Sequence, residues 1–264
     1  MPAPTVEAWV DSLQARGRYT FLRAEAVSGS GLTAEAVKKA LQQLARRRRV
    51  AKVKSYFYVI VPLEYLHAGG PPPSWFIDDL MKAMERPYYV GLLSAAALHG
   101  VSHQQPQEFQ VFTERPVRPI EVGRARIRFF VNKRTVDTAV QNVKTPTGGM
   151  RVSTPESTAV DLVRFAKAAG HLDNVATVLM DLAPLLDPKR LLKVVRASGD
   201  LPNAQRLGYL LERVRGRPQA KALHEWLGRQ SPRIVPLRPG RNANGAMEDR
   251  RWHVRVAEPI EIET

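Results

Sequence analysis

The 264-residue sequence has no cysteine, which excludes disulfides, thiolate metal sites and cysteine nucleophiles together. No stretch approaches the ~18 consecutive apolar residues that would read as a membrane-spanning helix. The opening MPAPTVEAWVDSLQARG holds acids and no long apolar run, so no signal peptide is read there and the cytoplasm is the expected location. Catalytic signatures are missing as well. No serine sits in a Gly-x-Ser-x-Gly elbow, and Gly148 with Gly149 lacks the lysine and spacing of a phosphate loop. Of the six histidines, only His99 and His103 lie close together, in LHGVSH. Gly100 interrupts that helix and no carboxylate completes a zinc pattern, so His99 reads as a helix-end residue favoured by the dipole. Glu258, Glu261 and Glu263 near a terminal strand are the best offer for a nuclease metal site and read more simply as a solubilising tail. No metal site, cofactor or enzymatic activity is expected.

Acids are scarce relative to bases. Lys and Arg number 40 against 25 Asp and Glu, a net of +15, which favours a polyanionic partner, DNA or RNA before an acidic membrane. The excess is uneven. Residues 1–62 hold eleven Lys and Arg against four acids, a net of +7, and eight of those eleven lie from Lys38 onward. The hydrophobic share, 44%, is ordinary for a globular chain, so a sizeable core is expected, divided between two domains.

The basic excess falls on a recognisable arrangement in Leu32 to Pro62. Ala36, Val37, Ala40, Leu41 and Leu44 recur at spacings of three and four and predict a helix with one apolar stripe, capped by Thr33. The opposite face carries Glu35, Lys38, Lys39, Gln42, Gln43 and Arg46, long side chains able to reach base edges or phosphates in a major groove. Arg46, Arg47, Arg48 and Arg49 follow. Val50, Val53, Phe57, Val59 and Val61 then show strand usage, with a turn near Lys54 and Ser55 and a second basic position at Lys52. Upstream, Val6, Trp9, Val10 and Leu13 predict a first helix over 5–15. Thr20 is placed to cap a short helix from Phe21 to Val27, and SGSG at 28–31 forms the turn into the basic helix. Helix, short helix, turn, basic helix and basic ribbon make a winged helix-turn-helix. An ordinary solvated helix face is the competing reading, and the charge balance disfavours it.

Pro62 to Pro73, with Gly69, Gly70 and three prolines, reads as a linker over 63–73, so the expected domains are 1–62 and 74–264. The second is expected to be α+β with a small antiparallel sheet and several helices. SWFIDDLMKAM and YYVGLLSAAALHG read as helices. FQVFT, RPIEV and ARIRFFV read as short strands, and VKTPTGGMRVST as a hairpin around Gly148 and Gly149. Thr154, Pro155 and Glu156 start a helix running to Gly170. Helices follow at 172–182, 188–198, 203–215 and 218–228, and RIVPL and WHVRV return to strand spacing.

With a winged helix first, then YYVGLLSAAALHG at 88–100, VSTPESTAVDLV at 152–163, QRLGYLLE at 205–212 and RRWHVRV at 250–256, the chain resembles the AbiEi antitoxins of type IV toxin–antitoxin systems in order over nearly its whole length. The resemblance implies two jobs. One is repression of its own operon through inverted repeats in double-stranded operator DNA. The other is neutralisation of a cognate nucleotidyltransferase toxin, in this family without a stable complex. The recognition helix would correspond to Thr33–Arg49 and the wing to Lys52–Val59. Basic residues of the C-terminal domain assist DNA binding in the family, and Arg124, Arg126 and Arg128, alternating along one strand, are the matching candidates here. A solvated strand guarded by charge explains those three equally well. A regulator whose second domain senses a ligand or protein, with no toxin, is the alternative reading of the whole.

Overall fold

The structure, a computed structural model, describes residues 5–101, 106–214, 217–240 and 245–262. The chain divides into two compact units, one of residues 1–89, 107–136 and 142–151, the other of 90–106, 137–141 and 152–264.

The first unit begins with α1 (Val6–Ala15), β1 (Thr20–Leu22), α2 (Arg23–Ser30), α3 (Ala34–Arg46), β2 (Val50–Lys52) and β3 (Phe57–Ile60). In α3 the apolar stripe turns inward as its period requires. Val37, Leu41 and Leu44 are at most 3% exposed and pack with Val6, Val10, Leu13 and Phe21, each burial stabilising by roughly 1.5–3 kcal/mol. The Thr33 hydroxyl accepts the Ala36 N–H at 3.3 Å and caps the helix. Thr20 does not cap α2. It sits in β1, paired opposite Val59, and its hydroxyl donates to Asp79. The α2 start is closed instead by Glu25, whose carboxylate accepts the Leu22 N–H and an Arg18 bond. Those bonds hold the Glu25 carboxyl below its usual range against the opposing effect of burial. The three strands form an antiparallel sheet in the order β1-β3-β2.

Two short 3-10 turns, Leu63–Tyr65 and Pro73–Trp75, lead to α4 (Ile77–Ala83) and β4 (Tyr88–Val90). The segment expected to be a linker is packed within this first unit. Gly69 and Gly70 lie against Gly123 and Val122, the Arg124 N–H donates to the Ala68 carbonyl, and Tyr19 and Tyr65 both meet Trp75 edge to face. Prolines and glycines here serve close backbone approach, which composition alone does not separate from free linkage.

A six-stranded sheet follows in the order β6-β7-β5-β4-β9-β8, from β5 (Phe109–Thr113), β6 (Ile120–Val122), β7 (Ala125–Val131), β8 (Val140–Thr145) and β9 (Gly148–Ser153) with β4. The small antiparallel sheet is corrected to a mixed one. β6 and β7 are antiparallel, whereas β5 and β7 are parallel, as are β4 and β9. β6 supplies the return path: it runs back at the edge, and a two-residue loop of Gly123 and Arg124 sends β7 between it and β5. No helical crossover is then needed for the parallel pair. Gly123, at φ +59, takes the first loop position where a type II′ turn favours glycine. YYV of the predicted second helix forms β4, with all three residues buried. The β8–β9 connection falls at Pro146 and Thr147, ahead of the two glycines.

The second unit is mostly helical. It contains α5 (Leu92–Leu98), α6 (Pro155–Arg164), α7 (His171–Leu182), α8 (Pro188–Ser198), α9 (Leu201–Arg213) and α10 (Arg217–Leu227). Its small sheet has the order β10-β12-β11, from β10 (Val235–Pro236), β11 (Met247–Asp249) and β12 (Val254–Val256). α6 stops at Arg164, short of the predicted Gly170, and a 3-10 turn over Ala166–Ala169 completes the connection.

Candidate nucleic-acid interface

The residues singled out for DNA in α3 lie on its solvent face. Lys38, Lys39, Gln42, Gln43 and Arg46 are exposed, and none of the described ion pairs involves them. Spacings of four put Lys38 behind Gln42 in one row and Lys39 behind Gln43 in the next, so the polar face presents two parallel ridges. Glu35 is the acid on this face, in the first turn, where the helix dipole favours it. The hairpin beside α3 carries exposed Lys52 and half-buried Lys54, with Tyr56 at its tip 38% exposed. Arg23 donates its N–H to the Tyr56 carbonyl and ties the start of α2 to that tip.

The four arginines are not equivalent. α3 ends in a Schellman turn: Arg48 N–H donates to Ala45 O and Arg49 N–H to Leu44 O, satisfying carbonyls that the helix leaves open. Arg48 occupies the left-handed position of that turn at φ +57. For an L residue that conformation costs roughly 1–2 kcal/mol, a penalty glycine escapes. Arg49 reaches Asp11 at 2.5 Å and Arg47 reaches Glu7 at 3.8 Å. Both acids stand one turn apart on α1, and both are partners the sequence reading missed. Their i,i+4 spacing was visible, but which element faces them depends on the three-helix packing.

Arg124, Arg126 and Arg128 sit differently from their even spacing. Arg124 lies in the hairpin loop. Arg126 and Arg128 share the exposed face of β7, where Glu108 holds both, at 3.3 and 3.2 Å, and Glu121, opposite Arg126 in register, lies at 3.9 Å. Arg128 also covers the Phe130 ring at 5.2 Å.

In the second unit the segments that carried the resemblance have internal roles. Gln205, Gly208 and Glu212 share one face of α9 and receive Trp252, which is fully buried. Its indole N–H donates to Glu212 at 2.6 Å, Gln205 donates to the Trp252 and His253 carbonyls, and Gly208 leaves space for the ring. His99, half-buried at the end of α5, meets the Ser153 carbonyl at 2.9 Å and the Thr158 hydroxyl at 3.4 Å. Burial lowers its pKa, against the opposing influence of that bond and of Glu156. Glu156 itself is buried, and its carboxylate accepts the Asp187 N–H. Of the residues weighed for metals, His103 and Glu263 lie outside the described residues. Among the described ones, no group of three or more His, Asp or Glu is placed to hold a metal ion. No helix among the described residues is long and apolar enough to cross a membrane.

No curated protein matches the chain. Among solved structures, it is similar to the RV2827C protein from Mycobacterium tuberculosis, at 14% identity over 97% of this chain and 94% of that one, with a TM-score of 0.67. At that identity the likeness concerns the fold. Residues 89–213, from β4 through α9, match the family of the AbiEi antitoxin C-terminal domain, which is not a known enzyme family and which supports a toxin–antitoxin role in general. The chain therefore carries an AbiEi antitoxin C-terminal domain at residues 89–213.

Proposed function

We propose that this chain is a DNA-binding autorepressor, acting on inverted repeats in its own promoter. In the same proposal it is the antitoxin of a type IV system, counteracting a cognate nucleotidyltransferase without forming a stable complex with it. Residues 1–62 are its winged helix-turn-helix reader, with α2 and α3 as the helix pair and the β2–β3 hairpin as the wing. Residues 74–264 carry the antitoxin function. The observation that supports the reading best is the solvent face of α3, where Lys38, Lys39, Gln42 and Gln43 stand exposed beside a basic hairpin. A helix of this length, ~20 Å at 1.5 Å per residue, fits a major groove ~12 Å wide. Thr33 at its N-terminus would lie near a phosphate, and Lys52 and Lys54 would follow the backbone from the wing.

The test is the full-length protein in cells carrying a reporter on its own promoter and an inducible cognate nucleotidyltransferase. Repression together with restored growth is expected. Gln42→Ala or Gln43→Ala should relax preference at particular operator positions by about 1–3 kcal/mol while nonspecific binding changes less. Repression with the toxin left fully active would remove the antitoxin half. Identical responses of variant and parent to every single-base operator change would move base reading away from α3.

A further inference from the structure

We propose that the arginine run at the end of α3 is divided by task. Arg48, beyond the helix end in the left-handed position, and Arg46 are the phosphate contacts, while Arg47 and Arg49 fasten α3 to α1. The inference rests on the DNA-binding reading above and assigns roles within it.

Two independent observations carry it. One is the pairing. Arg47 and Arg49 face Glu7 and Asp11, and the Arg49 side chain is only 26% exposed. Arg46 and Arg48 are exposed and take part in none of the described ion pairs. A guanidinium already against a carboxylate offers a phosphate less net attraction, since the acid repels the same anion. The other observation is the backbone. α1 and α5 end in the same kind of turn, with Gly17 and Gly100 in the left-handed position and the N–H of the next residue donating to Leu13 O and Ala96 O. α4 places Glu85 there, and α3 places Arg48. Glycine at position 48 would relieve the backbone and remove the cation. A position where the fold is better served by glycine but a long cation stands exposed beside the recognition face is one where binding, rather than folding, accounts for the side chain.

The experiment uses full-length R48G, R48K and R49A, reading thermal unfolding and the salt dependence of binding to the promoter duplex and to a nonspecific duplex. R48G is expected to raise the Tm by roughly 2–4 °C and to flatten the log–log salt slope by about 0.9, one phosphate contact. R48K should keep the parent slope, since it retains the charge. R49A should lower the Tm and keep the slope. If R48G instead lowers the Tm and leaves the slope unchanged, Arg48 belongs to the helix end and the assignment is overturned. A slope flattened by R49A as much as by R48G would overturn the division. Failure of the full-length parent to bind either duplex would overturn the DNA-binding reading itself.

Discussion

Replacing Gly208 by alanine tests how the tail is held in the second unit. A Cβ built there would lie 1.9 Å from Cζ3 of Trp252 and 2.4 Å from two further ring carbons, against the ~3.5–4.0 Å of a normal carbon contact. The ring has little freedom to retreat. It is fully buried, its N–H is held by Glu212 at 2.6 Å, and His224 meets it edge to face at 5.6 Å. Overpacking of this kind costs about 1–3 kcal/mol, rising toward the ~3–5 kcal/mol of a lost Trp seat if the ring is expelled. Alanine returns at most ~1 kcal/mol in helix propensity. G208A should therefore lower the Tm, on the order of 5–10 °C for a chain of this size. The decisive comparison is the same change in a W252A background. With the ring gone the clash is gone, helix propensity alone remains, and G208A should raise the Tm slightly. Equal destabilisation in both backgrounds, or none in either, would refute the packing argument.

Two further outcomes follow from the same geometry. G123A should lower the urea midpoint of the full-length protein, because its Cβ would sit 2.0 Å from the Ala68 carbonyl oxygen at a φ of +59; an unchanged midpoint would show that the β6–β7 loop is not pinned there. His99, with a folded-state pKa depressed below its usual value mainly by burial, binds fewer protons in the folded than in the unfolded chain, so its contribution is intact above the unfolded pKa of ~6.5 and is lost as pH falls through the folded value. Urea midpoints measured from pH 8 to pH 5 should fall less steeply for H99Q than for the parent, and parallel curves would remove His99 from the acid response.

Much of the first sixty residues was legible because one signal dominates there. The Val37, Leu41 and Leu44 stripe, the Thr33 cap and the β-branched run after Val50 each point to one local structure, and the packing agrees with all three. Thr20 misled because a threonine before an apolar run is equally a strand residue, and only the pairing with Val59 decides. The mixed sheet was hidden for a related reason. Strand periodicity reports which faces are buried and is silent about which strand lies next to which. The segment 63–73 shows the limit of composition, since Gly69 and Gly123 approach each other for packing with the same residue types a free linker uses. In the candidate site the cations were legible, and their partners Glu7, Asp11 and Glu108 were not, because those pairs join positions 18 to 40 residues apart, or differ by which strand is the neighbour.

The same distinction separates what marks the fold from what can act on a partner. Trp252, Gly208 and Gln205 are buried, as are Ser153, Thr158 and Glu156, and each is engaged by the packing or hydrogen bonds of the second unit. Substituting them would lower activity by lowering stability, so a loss of the proposed antitoxin function there would report on the fold and not on a contact. A residue that meets a toxin, or any other macromolecule, has to be exposed before the encounter. On α8 the face opposite Leu191 and Val195 satisfies that condition, with Lys189, Arg190, Lys193 and Arg196 exposed and no acid within the helix. Surface substitutions of this kind usually change stability by no more than ~0.5 kcal/mol. An activity lost on α8 with an unchanged Tm would thus be informative about function, whereas one lost at Trp252 would report on the core.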